Sequence, residues 1–151
     1  MCGILGIIAP DLTGIRAEEG LDAIRHRGPD TGGGLMENHA GKTVFFGHRR
    51  LSILDPGESG RQPMHCGELS IIYNGEVYNH GSLRRAHLKA LPFSSRTDTE
   101  VIIRLYEKMG DAFLSHLHGD FALAILDRNR KKVLLARDPI GVKPLYIYRK
   151  G

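Results

Sequence analysis

The sequence predicts an α+β fold in which two packed antiparallel sheets are covered by helices, a four-layer αββα sandwich. Three observations carry this expectation. Short apolar, β-branched runs recur with turn residues between them, as at Gly3 to Ala9, Leu69 to Tyr73 and Phe121 to Leu126. The last of these and Lys132 to Arg137 flank the polar stretch Asp127 to Lys131 and read as a hairpin. Helical periodicity is confined to two or three stretches, enough to cover sheet faces but not to form a bundle.

Taken in order, Gly3 to Ala9 reads as a buried strand that anchors Cys2 at its start and stops at Pro10-Asp11. Ala17 to His26 is a modest amphipathic helix with Leu21 and Ile24 inward, ended by Arg27-Gly28-Pro29-Asp30, because the residue before a proline avoids the helical region. Thr31 to Gly34 reads as a glycine loop. Thr43 to Phe46 and Leu51 to Leu54 read as one strand region with an irregular middle, Gly47 to Arg50, and Asp55 to Pro63 as a loop. After the strand Leu69 to Tyr73, Asn74-Gly75 is the strongest short turn signal in the chain. Ser82 to Leu91 is a short helix capped by Ser82. Thr97-Asp98-Thr99-Glu100 matches a capping box ahead of a helix with Val101, Ile102, Leu105 and Met109 on one face and Gly110 at its end. Asp111 to His118 reads as another short helix and Leu145 to Tyr148 as a last strand.

Composition narrows the function classes. The 151 residues suit one ordinary domain, here residues 1–151, and hydrophobic (41%) and charged (25%) fractions are those of a globular protein. The net charge of +4 arises from 21 Lys and Arg spread among 17 Asp and Glu, with no basic tract beyond Arg128 to Lys132, which argues against nucleic acid as a partner. No apolar run approaches the roughly 20 residues that span a bilayer, and Ile4 to Ala9 lacks the features of a secretory signal, so no membrane partner and a cytoplasmic location are expected. Cys2 and Cys66 make no disulfide framework, and Cys66 reads as an incidental or buried cysteine. Among eight histidines only His116 and His118 approach a pair, and no metal is expected.

Chemistry concentrates at Met1-Cys2-Gly3. Removal of Met1 would leave Cys2 with a thiol and a free α-amine on one carbon, a nucleophile beside a base whose pKa of about 7.7–8.0 suits neutral pH. Opening an amide through a thioester also needs donors aimed at the developing oxyanion, which the Asn74 side chain and the Gly75 N–H can supply. An Asn-Gly turn with no ligand is the alternative reading of that pair.

Five stretches stand in one order: Met1-Cys2-Gly3-Ile4, Arg25-His26-Arg27-Gly28-Pro29-Asp30, Arg50-Leu51-Ser52-Ile53-Leu54-Asp55, Asn74-Gly75-Glu76-Val77-Tyr78-Asn79, and Arg137-Asp138-Pro139-Ile140-Gly141-Val142-Lys143-Pro144-Leu145-Tyr146. In order and spacing they resemble the class II, N-terminal nucleophile glutamine amidotransferase domain, in particular the glutaminase half of glutamine-hydrolysing asparagine synthetases. The resemblance implies the N-terminal nucleophile hydrolase fold and hydrolysis of L-glutamine to glutamate and ammonia. It implies Cys2, Asn74 and Gly75 as catalytic residues, with Arg50, Leu51, Ile53, Asn74, Gly75, Glu76 and Asp98 binding substrate. Arg50 would take the α-carboxylate as a guanidinium fork, and Asp98 with Glu76 the α-ammonium. For Asp98, helix capping is the competing explanation. Arg27 would order the loop near the thiol and help close the pocket, with a structural helix stop as the equal alternative.

The resemblance also implies what this chain does not contain. The glutaminase domain of the family continues beyond the Lys-Pro-Leu-Tyr stretch, so the sandwich is expected to be truncated at its C-terminus. The Ser-Gly-Gly-x-Asp-Ser nucleotide loop of the synthetase half is absent, since Gly32-Gly33-Gly34 lacks its flanking residues. ATP and Mg are therefore expected only in a separate synthetase domain, in cis or in trans, that uses the ammonia to amidate aspartate. The glutaminase step itself needs no cofactor. A glutamine-binding module without turnover is the alternative.

Overall fold

The computed structural model describes residues 2–51 and 58–150. The elements are β1 (Gly3–Ala9), α1 (Ala17–Ala23), β2 (Thr31–His39), β3 (Lys42–Arg50), β4 (Met64–Cys66), β5 (Leu69–Val77), α2 (His80–His87), α3 (Asp98–Met109), β6 (Gly119–Asp127) and β7 (Lys132–Arg137). Short 3-10 turns cover Arg25–Arg27, Glu58–Gly60 and Gly110–His116. The strands form two antiparallel sheets, ordered β1-β3-β2 and β4-β5-β6-β7.

Strand alternation builds the layers. On β3, Phe45 packs outward with Leu12, Ala17 and Leu21, so α1 covers the three-stranded sheet. Val44 and Phe46 point the other way and meet Ile72, Ala124 and Leu126 of the second sheet. On β5 the opposite face, Ile71, Tyr73 and Val77, packs against Val101, Ile102 and Leu105 of α3. The order is thus helix, sheet, sheet, helices, the αββα sandwich expected from the sequence. Ile71, Ile102 and Leu105 are fully buried. Each such side chain contributes about 1.5–3 kcal/mol by leaving water. Arg128, in the turn after β6, ties the sheets together through a two-pronged contact with Glu37 of β2 (2.8 and 2.6 Å).

Several elements differ from the sequence reading. Asn74-Gly75 is not a turn: β5 runs through both, opposite Ala122 and Phe121 of β6. The glycine matters for a different reason, since a Cβ at Gly75 would collide with the backbone carbonyl of Asp120 and with Phe121. Thr31 to Gly34 is not a loop but the start of β2, where Gly33 lets the strand lie against the Gln62 carbonyl. Lys42–Arg50 is one continuous strand without an irregular middle, and the expected continuation over residues 52–54 lies outside the described residues. Leu145 to Tyr148 is not a strand, because among the described residues no strand pairs with it; Tyr146 and Tyr148 are 89% and 87% exposed. α2 begins at His80 after Asn79, two residues before the expected Ser82 cap, and β4 was not foreseen. The capping box is half realised. Thr97 Oγ1 accepts from Glu100 N (3.3 Å), but the Glu100 carboxylate reaches past the cap to Ser94 N and to Ser95 N and Oγ.

His48 lies on the inward face of β3, two residues from Phe46, and is 1% exposed. Burial pushes its imidazole down to about 4, the Arg50 charge adds to this, and a hydrogen bond with the Tyr73 backbone opposes it. The folded state therefore holds His48 neutral while the unfolded chain takes up a proton near 6.5. Stability from this residue is complete above pH 6.5 and lost as pH falls from 6.5 to 4, by roughly 3 kcal/mol. Denaturant melts of the wild type and of His48→Leu at pH 7 and pH 4 test this. The wild type should lose distinctly more stability between the two pH values than the variant, and equal losses would refute it.

Candidate active site

The site forms where the layer between the sheets ends. Ile4 of β1 packs into that layer, so Cys2, two residues earlier, lies on the same face at its edge. Three contacts fix Cys2. Gly3 pairs with Arg49 of β3. Arg27 Nε donates to the Cys2 carbonyl (3.2 Å) from the 3-10 turn after α1. The Sγ lies 3.5 Å from Leu51 N, which can donate to a thiolate, and 3.8 Å from Leu51 O, which can accept from a thiol. Gly28 allows the Arg27 turn to approach so closely, since a Cβ there would collide with the backbone of Arg49 and Arg50.

Cys2 opens onto a cleft of about 400 Å³, including its mouth, lined also by Arg50, Leu51, Gly75, Glu76 and Asp98. Six of the eight residues expected from sequence thus come together. Ile53 lies outside the described residues. Asn74 is 5% exposed and lies beside the cleft rather than in its lining. It shares the face of Ile72, toward the sheet that carries Cys2, and its side chain makes no hydrogen bond among the described residues.

The direction of the Gly75 N–H follows from the ladder. In an antiparallel strand the N–H and C=O of one residue point to the same side. Phe121, opposite Gly75, spends both groups on Asp138, its N–H on Oδ2 (3.2 Å) and its carbonyl on the Asp138 N–H (2.7 Å). Gly75 and Phe121 are therefore a non-bonded pair, and the Gly75 N–H points away from β6. Its neighbours on that edge agree: Tyr73 N donates to Gln62 Oε1 (2.6 Å) and Val77 N to Asp98 Oδ2 (2.9 Å). β4 stops opposite Ile71, short of Gly75, and so leaves this donor facing the cleft.

Asp98 opens α3 but does not cap it; Thr97 does. Its Oδ2 accepts from Tyr73 Oη (2.6 Å) and Val77 N, while Oδ1 accepts no hydrogen bond among the described residues. The Asp98 charge helps push the Tyr73 phenol far up, after burial, so this hydroxyl stays a donor. Burial, and then Asp98, also raise Glu76, with His80 and Lys143 opposing. The cleft thus pairs an arginine with two acids, complementary to a zwitterion. Sequence reasoning missed Tyr73 and Gln62. Gln62 bridges β5 to Thr99 of α3 (3.3 Å). Tyr73 has the signal of a core strand residue, and only the fold puts its hydroxyl on Asp98.

A family model described as a glutamine amidotransferase domain matches residues 1–151. An asparagine synthetase [glutamine-hydrolyzing] 2 of Oryza sativa subsp. japonica is 39% identical over 97% of this chain and 25% of its own length. A putative asparagine synthetase [glutamine-hydrolyzing] 2 of Methanocaldococcus jannaschii is 37% identical over 100% of this chain and 32% of its own. A protein named amidase chry2, from Gibberella zeae, is 38% identical over 97% of this chain and 24% of its own. The chain thus spans a quarter to a third of the length of these relatives. It belongs to the glutamine amidotransferase domain family.

The Tyr73–Asp98 contact is buried and charge-assisted, so its coupling should be about 1.5–3 kcal/mol. A double-mutant cycle of Tyr73→Phe and Asp98→Asn, read by denaturant unfolding, measures it. Additive effects of the two changes would show that the contact does not form.

Proposed function

We propose that this member of the family hydrolyses the side-chain amide of L-glutamine to glutamate and ammonia, with Cys2 as nucleophile. The observation that carries the reading is the Cys2 thiol held beside Leu51 N at a cleft that also contains Arg50, Glu76 and the unbonded oxygen of Asp98. The amino acid lies with its α-carboxylate on Arg50 and its α-ammonium on Asp98 Oδ1 and Glu76, with Leu51 lining the pocket. Once Met1 is removed, the Cys2 α-amine takes the thiol proton and the sulfur attacks the amide carbon. The Gly75 N–H, facing the cleft, and the Asn74 amide bond the oxyanion as it forms. Collapse breaks the C–N bond, and the α-ammonium returns its proton to the departing ammonia. Water, deprotonated by the same amine, then cleaves the thioester to release glutamate. These steps use protein groups only and require no cofactor.

Ammonia then passes to a synthetase domain, in cis or in trans, that uses ATP and Mg to amidate aspartate. The names and greater length of the asparagine synthetase relatives support this acceptor. The reaction suits the cytoplasm, and among the described residues no helix is long and apolar enough to cross a membrane.

Steady-state ammonia release separates the roles. Cys2→Ala should abolish turnover while glutamine still binds. Arg50 contacts ground and transition states alike, so Arg50→Ala should raise KM strongly with a smaller effect on kcat. Asn74 acts once the oxygen gains charge, so Asn74→Ala should lower kcat by roughly 10²–10³-fold. Glutamine binding without turnover in the wild type would instead identify a binding module. The reverse pattern, KM from Asn74 and kcat from Arg50, would overturn the pocket assignment.

A further inference from the structure

The stretch Arg137 to Tyr146 stood out in the sequence, yet none of it lines the cleft. Its centre is Asp138, 2% exposed, whose carboxylate accepts four backbone N–H groups: Gly141 (2.6 Å) and Val142 (2.9 Å) on Oδ1, Lys143 (3.0 Å) and Phe121 (3.2 Å) on Oδ2. The first three fold residues 138–143 into a tight loop. The fourth extends the β6–β7 ladder by one residue past Ala122↔Arg137. There the side chain of Asp138 takes the Phe121 N–H, because its own carbonyl is occupied by Gly141 N (3.1 Å).

We propose that Asp138 is a positioning residue of the active site: by holding both polar groups of Phe121 it keeps the Gly75 N–H turned into the cleft. The inference rests on the glutaminase reading for its kinetic consequence but not for its geometry. Transmission from Phe121 is direct. Gly75 has no side chain, and the atoms a Cβ would meet are the Asp120 carbonyl oxygen and the Phe121 Cα and Cβ, the last two at 2.7 and 2.9 Å. Any rotation of Phe121 is therefore a movement of Gly75. The four N–H bonds hold the Asp138 carboxyl down at about 2 despite burial, so the clamp stays charged at working pH.

Asp138→Asn preserves size but replaces one acceptor oxygen with a donor aimed at backbone N–H groups. In that variant the Gly75 amide resonance should shift by ¹⁵N–¹H NMR, and kcat for glutamine should fall at least about tenfold. The readouts are made below the variant's melting transition. The proposal is overturned if Asp138→Asn lowers only the melting temperature while the Gly75 resonance and kcat stay at wild type. A wild type without ammonia release would overturn the glutaminase reading alone, since the NMR readout remains available.

Discussion

A residue one position from a chain terminus is ordinarily mobile, and the whole site depends on Cys2 not being so. Seven consecutive pairs between β1 and β3, from Gly3↔Arg49 to Ala9↔Thr43, remove that freedom. The same register fixes the second half of the pocket. It sets Cys2 against the end of β3, where Arg50 turns inward and Leu51 offers its N–H to the sulfur. A one-residue slip of β1 along β3 would put Cys2 on the helix side of the sheet, across it from Arg50. Gly3 and Gly28 belong to this constraint. A Cβ at Gly3 would meet Ile24 Cδ1 at 3.0 Å, and one at Gly28 would strike the β3 backbone.

The other sheet contributes one edge. Along β5, successive outward N–H groups are spent on Gln62, left to the cleft, and spent on Asp98. The cleft opens where β4, only three residues long, stops, so that among the described residues no strand pairs with the far half of β5 on that side. A sheet edge is usually a liability that proteins cover. Here side chains cover it at Tyr73 and Val77, and the Gly75 N–H is left facing the cleft. One acid of the cleft is ordered from behind. Tyr73 and Val77 hold one oxygen of Asp98.

Much of this was legible in the sequence. The layers follow from alternation and from the α3 stripe, which depend only on neighbours along the chain. Cys2 and Gly75 were named from chemistry carried in residue type, and Arg50, Glu76 and Asp98 from positions matched by the family resemblance. What was not legible depends on partners distant in sequence. Asn74-Gly75 has the composition of a hairpin turn, but β6 supplies the pairing that keeps β5 extended through it. Thr31 to Gly34 looks like a loop because its glycines signal freedom; in the structure they permit close approach to Gln62 and Arg49. Leu145 to Tyr148 has a strand's composition without a strand's partner. The Tyr73 hydroxyl and the Gln62 amide serve the cleft only through the packing of α3 on β5, which no local pattern encodes.

The central claim is that the Cys2 thiol, freed of Met1 and held by the β1–β3 register, is the nucleophile. It is tested most directly by rapid mixing with glutamine, an acid quench and intact and peptide mass spectrometry. The account predicts protein lacking Met1 and a transient γ-glutamyl thioester on Cys2, with Cys66, whose thiol burial and Glu107 push up to about 11, unmodified. Ammonia release from protein that retains Met1, or an acyl group on Cys66 with Cys2 free, would contradict it.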